Sequence, residues 1–287
     1  MGLLKPIVDL ILYGNFWIAL CATALCLQIQ LVLGRPFQWD AVVGFSTFGT
    51  LFLYAVHRIV GINNLKNFFE VDRYHVIAHF KHHIRVYACI GLIGSGYYFF
   101  QLQRATQLVL VLPGLLSLGY VVPFLGQKRK RLRDLDFVKI YLVAIVWAWI
   151  TVVLPLMEYQ QAFGFASILM ILERALFIFA ITLPFDIRDL KVDQFGQVKT
   201  IPAIIGEKRT RQLAIACLFA AALIAFVLFG KGSYSSTVLL ALLISYFISI
   251  LLVQKSNVQQ HDYFYSGLMD GTMIFQFLIV YIIHLLQ

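Results

Sequence analysis

The sequence predicts an all-α, polytopic membrane bundle of about nine transmembrane helices, and three observations predict it. The chain is 61% hydrophobic but only 13% charged, whereas soluble domains carry about a quarter charged residues. Its apolar residues come in runs long enough for a helix to cross a hydrocarbon core, which takes about 20 residues. Its basic residues cluster in alternate connections between those runs, as the positive-inside rule requires.

The spans read, in order, as about 10–33, 41–62, 84–102, 107–126, 138–157, 163–184, 210–230, 234–254 and 265–286. The third and fifth are the shortest. The first is longer than the core of a signal peptide and has no small-residue cleavage site, so it reads as a retained helix. With the N-terminus in the cytoplasm, nineteen of the 23 lysines and arginines fall on the cytoplasmic side. They are Lys5, five around the second connection, six around the fourth, six around the sixth, and Lys255. Arg35, Arg104 and Lys231 fall outside, and Arg174 lies within a span. The net charge of +9 is thereby a topology signal, and because it is divided among membrane loops no nucleic-acid partner is expected. The expected setting is a multi-pass position in a bacterial inner membrane, with the bilayer as the first partner.

Residues 1–287 read as a single transmembrane domain without a linker, and two related halves, about 1–130 and 131–287, are compatible with the loop pattern. Cys21, Cys26, Cys89 and Cys217 sit in apolar spans without metal spacing and read as buried hydrophobes.

The connection after the sixth span carries the densest chemistry. It reads Phe185-Asp186-Ile187-Arg188-Asp189-Leu190-Lys191-Val192-Asp193, followed by Gly196, Lys199, Thr200, Pro202 and Gly206. If the helix continues, Asp186, Asp189 and Asp193 share one face. Three carboxylates there repel one another unless a cation sits among them. Hard oxygen donors suit Mg²⁺, which typically binds a few carboxylates plus substrate phosphates. Arg188, Lys191 and Lys199 are candidates for contacting the same phosphates. The bland alternative is a solvated, charge-balanced loop, and the concentration of three of the chain's 14 acids at one helix end favours the site.

This segment resembles the second Asp-rich motif of the UbiA superfamily of intramembrane prenyltransferases, in particular members that prenylate quinone precursors. Gly119-Tyr120, Pro123, Lys128-Arg129 and Lys139 resemble that family's connection between spans four and five. The resemblance implies a Mg²⁺-dependent transfer of a prenyl group from an isoprenyl diphosphate to an aromatic or other hydrophobic, lipid-soluble acceptor, as in quinone or related isoprenoid biosynthesis. It implies Asp186, Asp189 and Asp193 as metal ligands, with Asp189 and Asp193 in the catalytic set, and Arg188, Lys191, Lys199 and Lys128 are the matching candidates for diphosphate contacts.

The family's first motif, Asn-Asp-x-x-Asp at the end of span two, is replaced here by His57-Arg58 and Asn63-Asn64, and no carboxylate follows until Glu70 and Asp72. Either Arg58 joins the catalytic set by supplying the positive charge that an Asp–metal pair would bring, with His57 and Asn63 adding hydrogen bonds to the diphosphate, or the protein binds and carries an isoprenoid lipid without catalysis. A third expectation is a structural pair of Arg58 with Asp270. Two features read as structural. Glu173 and Arg174, about 20 Å of helix from Asp186, read as interhelical hydrogen-bonding groups. The run His75, His79, His82, His83 has desaturase-like spacing but reads as a basic segment on the membrane surface. Asp270-Gly271 resembles the start of an alcohol-phosphotransferase signature whose remainder is absent.

Overall fold

The computed structural model describes residues 4–64, 81–123 and 131–286. Among them the regular structure is entirely helical. The helices are α1 (Leu4–Tyr13), α2 (Phe16–Val32), α3 (Ala41–Asn64), α4 (Lys81–Phe99), α5 (Arg104–Val109), α6 (Val111–Val121), α7 (Val138–Ala148), α8 (Leu154–Glu158), α9 (Phe165–Arg188), α10 (Leu190–Phe195), α11 (Ile201–Gly230), α12 (Ser236–Lys255) and α13 (Asp270–Leu285). Two π-helical turns, Trp149–Val153 and Phe264–Met269, join α7 to α8 and lead into α13.

Among the described residues seven helical units are long and apolar enough to cross a membrane, and eight with the bent pair α1–α2. The protein is an integral, multi-pass membrane protein. The expected third span is the helix that falls short. α4 is helical over 19 residues, but Lys81, His82, His83 and Arg85 crowd its first turns and dilute its apolar character. The expected fifth span is a full 21-residue unit, Val138–Glu158, with a π-helical turn inside it.

The first span is broken. α1 and α2 meet at 59°, with Asn15 in the left-handed region at φ 69°, a conformation that Asn tolerates better than most residues. α2 and α13 run in the same direction, since Trp17 Nε1 donates to the Gly267 carbonyl at 3.0 Å and Cys21 Sγ to that of Asp270 at 3.2 Å. Neighbour follows neighbour around a ring: α2 packs on α3, α3 on α6, α6 on α7, α7 on α9, α9 on α11, α11 on α12, α12 on α13, and α13 closes on α2. α4 lies against α3. A Cβ on Gly91 of α4 would stand 2.6 Å from the Phe52 amide nitrogen, so these two backbones touch. That close approach is the usual role of small residues between membrane helices.

Candidate functional site

The ring encloses a cavity of about 540 Å³, within the range of small-molecule sites. Its mouth is polar. α3 supplies His57 and Arg58, the connection before α7 supplies Arg131, Arg133 and Asp134, and α7 supplies Lys139. Arg188, Asp189 and Asp193 come from the end of α9 and the start of α10, and Asp262 from the segment before the second π turn. Deeper, Ile18, Val143, Ile178, Ile181 and Met273 make the wall apolar, with Tyr54, Trp147 and Asp270 among them.

The three expected metal ligands do not converge on one point. Helix α9 stops at Arg188, and Asp189 turns the chain before α10 resumes. Lys139 Nζ sits between the other two, 2.8 Å from Asp186 Oδ1 and 3.1 Å from Asp193 Oδ2. Asp186 is 2% exposed and Lys139 9%, so this is a buried triad whose charges must satisfy one another. Burial raises the Asp193 carboxyl above the usual carboxylate range, against the downward pull of Lys139. Asp189 instead faces Arg188, whose Nε and Nη2 donate to its two oxygens at 2.9 and 3.1 Å. Arg188 Nη1 also reaches Asp262 Oδ1 at 2.8 Å, and Tyr13 donates to the other Asp262 oxygen at 2.9 Å.

Arg58 is positioned by the broken first span. Its Nε donates to Asn15 Oδ1 and its Nη2 to the Leu12 carbonyl at 3.3 Å. The expected pair with Asp270 is not formed: Arg58 is committed to the α1–α2 bend. His57 contacts Arg133 and packs 5.7 Å from the Tyr120 ring. Arg131 grips Asp134 with two hydrogen bonds of 2.9 and 2.8 Å.

His57, Arg58, Arg188, Asp189 and Asp193 thus meet at one cavity. Asp186 does not line it and lies behind Lys139. Lys191 and Lys199 are exposed and do not line it either. Lys199 ties the loops through its backbone, accepting from Phe137 N at 3.0 Å and donating to Asp136 Oδ1 at 2.9 Å. Lys128 and the side chain of Asn63 lie outside the described residues, as do Glu70, Asp72, His75 and His79. Among the described residues no group of three His, Cys, Asp or Glu side chains forms a metal cluster. Glu173 accepts hydrogen bonds from Tyr234 at 3.2 Å and from Tyr246, away from the cavity, as expected of interhelical bonding, whereas Arg174 Nε and Nη1 are buried without a hydrogen bond among the described residues.

Sequence reasoning missed Arg131, Arg133, Tyr13 and Asp262, and gave Lys139 no role. The density of basic residues over 128–133 was the available signal for the first two. Nothing local marks Asp262, which reaches the site only through ring closure.

No family model and no curated protein matches this sequence. Solved structures do match. The apo structure of a UbiA homologue from Aeropyrum pernix K1 has a TM-score of 0.67 at 13% identity, with 95% of this chain and 98% of that one covered. A UbiA homologue from Archaeoglobus fulgidus bound to GPP and Mg²⁺ has a TM-score of 0.63 at 8% identity, covering 94% and 99%. A structure concerned with digeranylgeranylglyceryl phosphate synthase in membranes has a TM-score of 0.59 at 13% identity, covering 97% and 98%. The protein is therefore a multi-pass membrane bundle with a polar-mouthed internal cavity. Its fold is that of the UbiA homologues.

Proposed function

We propose that this protein is a UbiA-type prenyltransferase, transferring a prenyl group from an isoprenyl diphosphate to an aromatic or other lipid-soluble acceptor, as in quinone or related isoprenoid biosynthesis. The observation that carries the reading is the cavity itself: charged donors ring its mouth and apolar side chains form its depth. A prenyl diphosphate has the same division between a charged head and an apolar tail. Structural neighbours solved with GPP or DMAPP and Mg²⁺ support the assignment at the level of fold. The mouth faces the cytoplasm in this proposal, with the N-terminus on the same side and the chain in a bacterial inner membrane.

The donor set fits one Mg²⁺. Asp189 and Asp193 both line the cavity, and Mg²⁺ is commonly held by one or two carboxylates together with substrate phosphates. Asp186 acts on Asp193 through Lys139. At the place of the first motif, His57 and Arg58 offer cationic or neutral donors in place of carboxylates, so Arg58 replaces a second metal. When bound, the ion supplies Lewis-acid neutralisation of the diphosphate.

The chain's own groups do the rest. Arg58, Arg133 and Arg188 donate to the diphosphate oxygens as charge builds on the leaving group. Exposed Lys191 and Lys199 raise the local potential that draws the anion in. The allylic C–O bond breaks with its electron pair passing to the diphosphate, and the cation forms among apolar side chains that exclude water. The ring faces of Tyr54 and Trp147 stabilise it. The acceptor then attacks C1.

The test is incubation of purified protein with radiolabelled prenyl diphosphates of several lengths and Mg²⁺, beside Asp189→Ala and Arg58→Ala. Release of diphosphate by the wild type, reduced at least about 100-fold in both variants, is the expected result. Tight binding without release would instead support a carrier of isoprenoid lipids, the reading to which the His57-Arg58 substitution lends weight. Neither binding nor release at any chain length would defeat the proposal.

A further inference from the structure

Among the described residues five carboxylates line the cavity, and four of them are already held by a cation: Asp134 by Arg131, Asp189 and Asp262 by Arg188, and Asp193 by Lys139. Asp270 is the exception. Among the described residues its carboxylate has no hydrogen bond and no ion pair, although Arg188 and Arg58 act on it electrostatically; its backbone carbonyl accepts from Cys21 and its backbone N–H donates to Gly267 and Tyr265. It opens α13 directly after the π-helical turn, about 12 Å of helix beyond Asp262 at about 1.5 Å per residue. It shares the deep part of the cavity with Tyr54, Trp147 and Met273. An ionisable group inside a membrane span is costly to keep there and commonly serves function, and this one faces space that a ligand can fill.

We infer that Asp270 is the proton acceptor of the transfer reaction, taking up the proton that a protic acceptor loses on prenylation. The inference rests on the prenyl-transfer reading. The four ion-paired acids are poorer candidates, because the cation beside each favours its ionised form over the protonated one. In the step assigned here the prenyl C1–O bond breaks and its electron pair leaves with the diphosphate. A bond forms between C1 and the acceptor's oxygen or ring carbon, and the proton displaced from that atom passes to the Asp270 carboxylate. The products are the prenylated acceptor, diphosphate and protonated Asp270, which returns its proton to water when the cavity empties.

The experiment separates ionisation from proton removal. Geranyl diphosphate labelled with ¹⁸O in the bridging position is incubated with Mg²⁺ and wild-type, Asp270→Asn or Asp270→Glu protein. Migration of label to non-bridging positions reports C–O ionisation and needs no acceptor. Parallel reactions with 4-hydroxybenzoate, a naphthohydroquinone and a long-chain alcohol report transfer. The inference expects label migration in all three proteins. It expects product from at least one probe with the wild type, a loss of about 100-fold or more in Asp270→Asn, and partial recovery in Asp270→Glu. Migration in Asp270→Asn itself certifies a folded, competent site. Equal product from wild type and Asp270→Asn overturns the inference, as does loss of migration in Asp270→Asn, which would assign the residue to ionisation. Failure of every protic probe with migration intact overturns it too. Absence of migration in the wild type defeats the prenyl-transfer reading, and this inference with it.

Discussion

Two residues decide how charge is arranged at the cavity mouth, and neither is an acid. Asn15 sits in a left-handed turn at the α1–α2 break and presents Oδ1 to Arg58, so a bend in the first span aims a cation on the second. Replacing it with Ala removes the acceptor and places a β-carbon in an unfavourable conformation. Asn15→Ala is expected to cost about 1–3 kcal/mol and to weaken prenyl-diphosphate binding as Arg58 loses its anchor. Thermal unfolding in detergent and equilibrium binding check the two effects. Lys139 is the second. It is the cation shared by Asp186 and Asp193, and Lys139→Met leaves two buried carboxylates facing each other. A loss of about 3–5 kcal/mol is expected, with partial recovery in the double variant that adds Asp186→Asn. A Lys139→Met protein as stable as the wild type would mean that the triad is not the structural centre its burial indicates. Sequence reading found Asp186, Asp189 and Asp193 because three acids stood at helical spacing in an acid-poor chain. It did not find their division between Lys139 and Arg188, because those partners are set by how α7 and α9 pack.

At the level of elements, hydrophobic run length was enough to find the helices, because a membrane span has no alternative to an internally hydrogen-bonded helix. The breaks were not legible in the same way. The Gly14-Asn15 bend lies inside one apolar run; Pro155 follows the first π-helical turn by two residues and Ser266-Gly267 sits inside the second, marks that run length alone does not register. Such turns recur at functional sites, and the second one sets the rotation at which Asp270 meets the cavity. The third expected span failed as an apolar crossing unit for a legible reason, its basic first turns. What holds α4 in place is its contact with α3. Because a Cβ on Gly91 already meets the Phe52 backbone, Gly91→Leu is expected to push α4 off α3 and destabilise the protein by about 1–3 kcal/mol. Thermal unfolding or limited proteolysis would register it. Gly206 is a different case: open space surrounds it, but its φ of 78° bends α11. Gly206→Ala is expected to cost about 1–2 kcal/mol through backbone strain alone.

For the molecule as a whole, the balance of charge around the cavity decides whether a metal is required. The described wall carries five basic side chains, Arg58, Arg131, Arg133, Lys139 and Arg188, and five acidic ones, so their formal charges cancel. Most of the cations are already neutralised by an adjacent carboxylate. A diphosphate adds several negative charges to this described wall, and the cost of burying them falls if positive charge enters with them. Asp189 and Asp193 can accept that charge without being displaced from the wall. Chelation is therefore expected to weaken binding of a non-reactive geranyl thiolodiphosphate by at least about tenfold, or about 1.4 kcal/mol, measured as Kd with Mg²⁺ and with EDTA at constant ionic strength. Asp189→Asn should remove most of the difference between the two conditions, because it deletes a ligand while freeing Arg188 to contact the diphosphate directly. Equal affinities with and without Mg²⁺ in the wild type would overturn the metal assignment. The arginines would then bind the diphosphate unaided, and the exchange of acids for His57-Arg58 on α3 would extend to the whole site.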